Sequence, residues 1–386
     1  MLRLNSSIVM RLSNCRILVT GANGFIGKNL IVRLSELTNV TVSTFVRGDD
    51  AALLPQLVSQ VDAIVHLAGE NRPADEAAFA RVNAGLTTTL CDAIRQAFQS
   101  CGRHIPLLLA SSSQAERENP YGRSKLAAEE AVQTLGNQTG NPCVVFRLPG
   151  VFGKWCKPNY NSVVATFCHN IARDLPIRIN DPTASLRLVY VDDVVNALLA
   201  ALKDPVSGCV HAQVSPEYTT TLGELANQIS AFGDCRSKLM TERVGAGFLR
   251  ALYATYVSYL PSDKFSYEVT QHADPRGVFV EMLKTPDSGQ FSYFTAHPGV
   301  TRGGHYHHTK TEKFLVIKGK ALFRFRHLLT NELVELQTSG GTPQVVDTIP
   351  GWTHDITNVG DDEMVVMLWA NENFDREKPD TVASNV

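Results

Sequence analysis

The run RILVTGANGFIGKNLIVRLSEL, residues 16–37, restricts the fold of this chain more than any other stretch. An apolar strand runs into three glycines spaced three apart, and apolar residues then recur at helical period. A strand that turns sharply into a helix satisfies both halves. Gly21 allows the tight turn, Gly24 lets backbone approach a pyrophosphate, and Gly27 permits close helix–strand packing, with phosphate charge at the helix N-terminus. Asn23, Phe25 and Ile26 complete the loop. The next strand ends FVRGDD, where a dinucleotide fold places either an acid for the ribose hydroxyl or an arginine for a 2′-phosphate. Arg47 favours NADPH over NADH, and Asp49 is the alternative that would take the ribose.

Further along, VTVSTFV, DAIVHLAG, LLLASSS and CVVFRLPG alternate with amphipathic stretches. Continuous β-branched runs between helical periods indicate a Rossmann-type doubly wound α/β parallel sheet covered on both faces. YTTTLGELANQISAF reads as a Thr-capped helix closing this unit, and GAGFLRALYATYVSYLP as a helical linker, with a membrane-surface helix as the alternative. Beyond Pro261 the pattern changes to short alternating strands with Gly-rich and Asp-rich turns, an antiparallel all-β unit. A chain of 386 residues is too long for one ordinary core, so two domains are expected. The boundaries are an N-terminal extension at 1–14, with Met10 as an alternative start, a dinucleotide-binding domain at 15–245, a linker at 246–262 and an all-β domain at 263–386.

Charge excludes some partners. Thirty-six Lys and Arg against 38 Asp and Glu leave a net charge of −2, with no basic block for nucleic acid. No apolar run approaches the roughly 20 residues that span a bilayer, so no membrane partner and a cytoplasmic location are expected. The eight cysteines form no C-x-x-C pair and read as reduced thiols.

YGRSK at 121–125 places Tyr121 and Lys125 on one helix face. Lys125 would lower the Tyr121 pKa and hold ribose hydroxyls, while the phenol gives a proton to a carbonyl oxygen as hydride arrives. Together TGANGFIG, HLAG, Asn83 in RVNAGLTTTLCDA, YGRSK, FRLPGVFG and LVYVDDVVNALLAAL resemble the extended short-chain dehydrogenase/reductase family of nucleotide-sugar enzymes. That resemblance implies Ser112 or Ser113, Tyr121 and Lys125 as the catalytic set, with Leu67, Ala68, Gly69 and Asn83 as further cofactor contacts. The serines stand closer to Tyr121 in sequence than the family usually has. Gln114 and Ala115 occupy the positions where the sugar dehydratases of the family carry an Asp-Glu pair, which disfavours dehydration.

Residues 299–319, which end in GGHYHHTKTEKFLVIKG, fit G-x5-H-x-H-x4-E-x6-G, with Gly299, His305, His307, Glu312 and Gly319 in order. It resembles the first motif of the cupins, jelly-roll barrels, and PGWTHDITN resembles the second. His354 becomes a fourth ligand beside His305, His307 and Glu312. Three imidazoles and a carboxylate without a thiolate favour Zn²⁺ among divalent ions. His305 or His307 as a metal-free catalytic base is the alternative. His305, His307 and Glu312 are expected on adjacent strands of one sheet, with His354 on a facing strand. His308 points to the opposite face, and His272 and His327 are read as structural.

An extended reductase fused to a cupin resembles a family of capsule and O-antigen enzymes on the route to UDP-N-acetyl-L-fucosamine. What this implies is a bifunctional catalyst acting on a UDP-linked 4-keto-6-deoxy-N-acetylhexosamine: the cupin epimerises C3, and the reductase reduces C4 with NADPH. A homodimer is expected. The competing reading is a single-activity 4-reductase or 4-epimerase whose cupin is structural or dimerising.

Overall fold

Ile17 and Val19 of strand β1 (Cys15–Thr20) face one side of a sheet and Leu18 the other, and all three are fully buried. A strand covered on both faces has no polar side, which is why this one reads as a continuous apolar run. The computed structural model describes residues 14–386. The expected extension at 1–14 lies, apart from its last residue, outside the described residues. β1 pairs in parallel with β2 (Val40–Phe45) and β3 (Ala63–His66), and the sheet continues through β4 (Leu107–Ser112) and β5 (Cys143–Leu148). Two strands of a separate small sheet follow, β6 (Gly150–Phe152) and β7 (Ser185–Tyr190). The chain then returns as β8 (Cys209–Ala212), so the main order is β2-β1-β3-β4-β5-β8.

Helix α1 (Phe25–Ser35) and the helix Val191–Lys203 bury Leu30, Leu34, Val194 and Leu198 on the Ile17 face. Helices α2 (Leu54–Ser59), α3 (Leu86–Cys101) and α4 (Pro120–Thr139) bury Leu54, Ile94 and Val132 on the Leu18 face. The Asn119 side chain caps α4 by accepting from Gly122 N at 2.7 Å, and Pro120 supplies a pre-set first turn. Strand β9 (Glu217–Thr221) runs antiparallel to β7 and leads into the helix Leu222–Lys238. Thr221 and Glu224 there form a reciprocal capping box: Glu224 N donates to Thr221 Oγ1 at 3.2 Å and Thr221 N to Glu224 Oε2 at 2.9 Å.

The C-terminal part is built from two antiparallel sheets. One has the order β10 (Gln271–Asp274), β11 (Gly277–Lys284), β12 (Gln290–Ala296), β19 (Met364–Ala370), β14 (Glu312–Lys318), β17 (Val345–Asp347). The other runs β16 (Leu333–Ser339), β15 (Lys320–His327), β18 (Trp352–Asn358), β13 (Thr301–Tyr306), β20 (Val382–Ala383). Phe294, Phe314, Val366 and Leu368 from the first sheet share one core with Ala321, Phe323, Phe325 and Ile356 from the second, so the sheets face each other as a sandwich.

Two compact units divide the chain. One holds the residues up to Ile229 with Ala251–Leu260, and the other holds Ser230–Arg250 with Pro261–Val386. The helix Gly247–Val257, within the stretch read as a linker, is shared between them. Among the described residues no helix is long and apolar enough to cross a membrane, and all eight cysteines are free thiols.

Candidate functional site

The first site lies at the carboxyl ends of the parallel strands. Gly21 has φ +68°, and a Cβ there would lie 2.7 Å from Ala68 N, so the turn tolerates only glycine. A Cβ on Gly27 would lie 2.4 Å from Gly21 O, which fixes how closely α1 abuts the loop. Helix α1 begins at Gly24 with no side-chain cap and no acid in its first turn. Its first N–H groups are therefore left for an anion, a fit to a dinucleotide pyrophosphate. Asn23, Gly24, Phe25 and Ile26 line a cavity of about 830 Å³ together with Arg47, Leu67, Gly69, Ser112, Ser113, Tyr121 and Lys125. Arg47 is ion-paired with Glu70. Asp49, the alternative ribose ligand, is turned into its own loop, where it accepts from Val46 N at 2.7 Å.

Tyr121 and Lys125 occupy the first turns of α4, facing the end of β4. Ser112 is buried and its hydroxyl bonds the Tyr121 phenol, whereas the Ser113 side chain is exposed. Geometry thus brings together Ser112, Tyr121 and Lys125. Lys125 Nζ donates to Ala110 O at 3.2 Å. A Cβ on Gly69 would lie 3.2 Å from that ammonium and 3.1 Å from Asn83 Oδ1, so a larger residue would crowd both side chains. Asn83 Nδ2 donates to Glu70 O at 3.1 Å and to Ser124 Oγ at 3.0 Å, tying the strand end to α4. Burial lowers Lys125 to about 8, with the Glu129 carboxylate opposing. The lowering of Tyr121 by Lys125 expected from the spacing is not what the site shows. Burial raises the phenol, and the Ser112 hydrogen bond is what pulls it back.

The second site is in the sandwich. Donor atoms of His305, His307, Glu312 and His354 all lie within 4.8 Å of one another. Their sheet assignment differs from the expectation. His305 and His354 are directly paired neighbours in one sheet, whereas Glu312 opens β14 in the facing sheet. The chain crosses between sheets at 307–311, immediately after the two histidines, and that crossing separates the carboxylate from them. His307 Nε2 is 3.3 Å and His354 Nε2 3.6 Å from Glu312 Oε2. Donors around one ion at bond lengths of about 2.0–2.2 Å are spaced much like this. Both ring nitrogens of buried His354 lack a hydrogen-bond partner, and a bound cation would take up one of them. The residues therefore fit a divalent ion. Burial, then the adjacent His354, lowers His305 to about 4, so its imidazole is neutral and open to a cation. Burial opposes ionisation of Glu312, but His307, His354 and Lys310 outweigh it and hold the carboxyl well below the usual range. His308 is exposed, meets the Tyr306 ring edge to face and is not among the four.

The sequence pattern of the NAD dependent epimerase/dehydratase family matches residues 17–214. The chain belongs to that family. A second pattern, the polysaccharide biosynthesis C-terminal domain, matches residues 272–382. A UDP-2-acetamido-2,6-beta-L-arabino-hexul-4-ose reductase from Pseudomonas aeruginosa is 58% identical over 371 residues, 96% of this chain and 99% of that protein. The crystal structure of the capsular polysaccharide assembling protein CapF from Staphylococcus aureus matches with a TM-score of 0.87 at 41% identity, covering 96% of this chain and 100% of that one. WbmF from Bordetella bronchiseptica, solved with NAD⁺, shares the fold at a TM-score of 0.55 and 20% identity, over 64% of this chain and 93% of that one.

This epimerase/dehydratase family member, CapF-like in its two-part layout, also carries site residues that sequence reasoning missed. His66 is fully buried between Thr20 Oγ1 at 2.6 Å and Thr87 Oγ1 at 2.8 Å, and burial lowers it to about 3. It is a neutral polar strut beneath the first site. Lys310 is buried with its Nζ 2.9 Å from Glu312 Oε1. The Asp380 carbonyl oxygen lies 2.5 Å from His307 Nδ1, which fixes Nδ1 as the donor and leaves Nε2 free for a ligand role. The Asp380 carboxylate accepts from His308 N, Thr309 N and Lys310 N at 2.7–2.9 Å. HHTK offered a hint of Lys310, but Asp380 stands 73 residues after His307 and had no local signal.

Proposed function

We propose that this chain is a bifunctional nucleotide-sugar enzyme of polysaccharide biosynthesis. Its dinucleotide-binding domain, residues 15–245, reduces the C4 ketone of UDP-2-acetamido-2,6-dideoxy-hexos-4-ulose with NADPH. Its C-terminal domain, residues 263–386 beyond a linker at 246–262, is a cupin that epimerises C3. The product is UDP-2-acetamido-2,6-dideoxy-L-talose, on the way to UDP-N-acetyl-L-fucosamine. The observation that carries the reading is the meeting of Ser112, Tyr121 and Lys125 on the wall of the 830 Å³ cavity. The name of the 58% identical relative, a hexul-4-ose reductase, and the capsular polysaccharide role in the CapF title support it.

Reduced nicotinamide, when bound, supplies the hydride to C4. Tyr121 gives its phenolic proton to the ketone oxygen as the C=O π bond breaks. Ser112 holds that phenol in place, and the Lys125 ammonium, reaching towards Gly69, is set to hold ribose hydroxyls. In the cupin, His305, His307, Glu312 and His354 would hold a divalent ion, Zn²⁺ by donor set. Such an ion supplies Lewis acidity to the oxygen beside the C3–H, which the neighbouring ketone has already acidified. Asp380 and Lys310 keep His307 and Glu312 turned towards the shared point.

The test is to incubate the protein with UDP-4-keto-6-deoxy-HexNAc isomers in D₂O, with and without NADPH, and to follow products by NMR. Deuterium should enter C3 without NADPH and be lost in His305→Ala, and the L-talo product should need NADPH. Failure to oxidise NADPH overturns the reductase assignment. Absence of C3 exchange leaves the cupin without its proposed activity.

A further inference from the structure

We propose that Glu70 sets how far this chain prefers NADPH over NADH, by competing with the 2′-phosphate for Arg47. The inference rests on the reading that Arg47 meets that phosphate. Arg47 lies two residues past the end of β2, and Glu70 follows β3, while β1 runs between those two strands. Their ion pair therefore crosses the carboxyl end of β1, where the Gly21 turn begins. The two ends of the pair are held differently. Glu70 N donates to Asn83 Oδ1 at 2.8 Å and Glu70 O accepts from Asn83 Nδ2 at 3.1 Å, and the Glu70 side chain is only 13% exposed, against 83% for Arg47. The carboxylate is anchored, and the guanidinium is the end free to move.

The charge of the cavity points the same way. Its lining includes the basic residues Lys28, Arg47, Arg117, Lys125, Lys157 and Arg187, and Glu70 is the one carboxylate among the described lining residues. A basic cleft suits a ligand carrying several phosphates. A single anchored carboxylate there works against the negative charge of such a ligand. Asp49 is turned into its own loop and is not part of the cavity lining, so Glu70 is the acid of the described lining that can accept from a 2′-hydroxyl. A 2′-phosphate brings a charge of about −1.5 to −2 and must draw Arg47 away from Glu70 while facing the carboxylate. The pair thus favours the hydroxyl and taxes the phosphate, and discrimination by a repulsive element is a general route to specificity.

Binding without sugar substrate tests this, read by nicotinamide fluorescence with NADPH and NADH on the full chain. Glu70→Gln keeps the side-chain shape and both backbone bonds to Asn83. It should tighten NADPH by about tenfold, given the cost of like charges at a solvent-open site, and should not tighten NADH. An equal change for both dinucleotides, or none for either, overturns the proposal. Arg47→Ala separates the two levels. If it leaves the NADPH-to-NADH ratio unchanged, the Arg47 reading fails and this inference falls with it. If it collapses the ratio while Glu70→Gln does nothing, the role of Glu70 alone is refuted.

Discussion

Lys310→Met removes a buried ammonium while keeping most of its stem. Lys310 and Glu312 side chains are 8% and 6% exposed, and their charged atoms are 2.9 Å apart. Deleting one partner of such a pair leaves the other charge buried and uncompensated, typically a loss of about 3–5 kcal/mol. Glu312 Oε2 keeps polar ring edges beside it, with His307 Nε2 at 3.3 Å and His354 Nε2 at 3.6 Å, so the lower figure of about 3 kcal/mol applies. A divalent ion in the site would replace the missing positive charge, so the loss should shrink when the protein is loaded with Zn²⁺. The assay is urea unfolding of chelator-treated and Zn²⁺-loaded protein. It is read by tryptophan fluorescence, since Trp352 and Trp369, two of the three tryptophans, lie in the sandwich. A chelator-treated variant within about 0.5 kcal/mol of the parent, the range of an ordinary surface change, would show that Lys310 does not compensate the Glu312 charge. An equal loss in both states would refute the replacement of that charge by the ion.

Asp380→Asn should change the pH dependence of sandwich stability. Hydrogen bonds from His308, Lys310 and Thr309 N–H groups hold the Asp380 carboxyl well below the usual carboxylate range. Its folded pKa is depressed, so its contribution is fully present above the unfolded value of about 3.9 and is lost as pH falls below that towards the folded value. The stability gap between parent and variant should be widest near neutrality and narrow on acidification, and a gap independent of pH in urea unfolding would sink the assignment. Tyr121→Phe removes only the transferable proton. NADPH oxidation should fall by about 10²–10⁴-fold while dinucleotide binding is unchanged, and turnover at the parent rate would exclude Tyr121 as the donor.

Much of the first site was legible because its parts are local. Gly21, Gly24 and Gly27 lie in one turn, and Tyr121 and Lys125 in one helix, so sequence spacing sets their geometry directly. The serine was not legible to one residue. Ser111, Ser112 and Ser113 are chemically identical in sequence, and the end of the β4 pleat decides which hydroxyl meets Tyr121. The alternation of buried Ile17, Leu18 and Val19 between two cores likewise follows from strand period alone.

Residue identities by themselves determined the doubly wound unit and the antiparallel unit, because period is a property of the chain, whereas motif resemblance supplied the four candidate donors whose atoms lie within 4.8 Å of one another. Tertiary structure decided what no spacing encodes. The crossing at 307–311 puts Glu312 in the sheet opposite His305 and His354. Asp380 returns on a strap next to β20, whose residues pair with β13. Glu70 reaches Arg47 across the end of an intervening strand. Each of these brings together groups distant in sequence, and their meeting depends on sheet order and loop path, which are set by the packing of the whole domain.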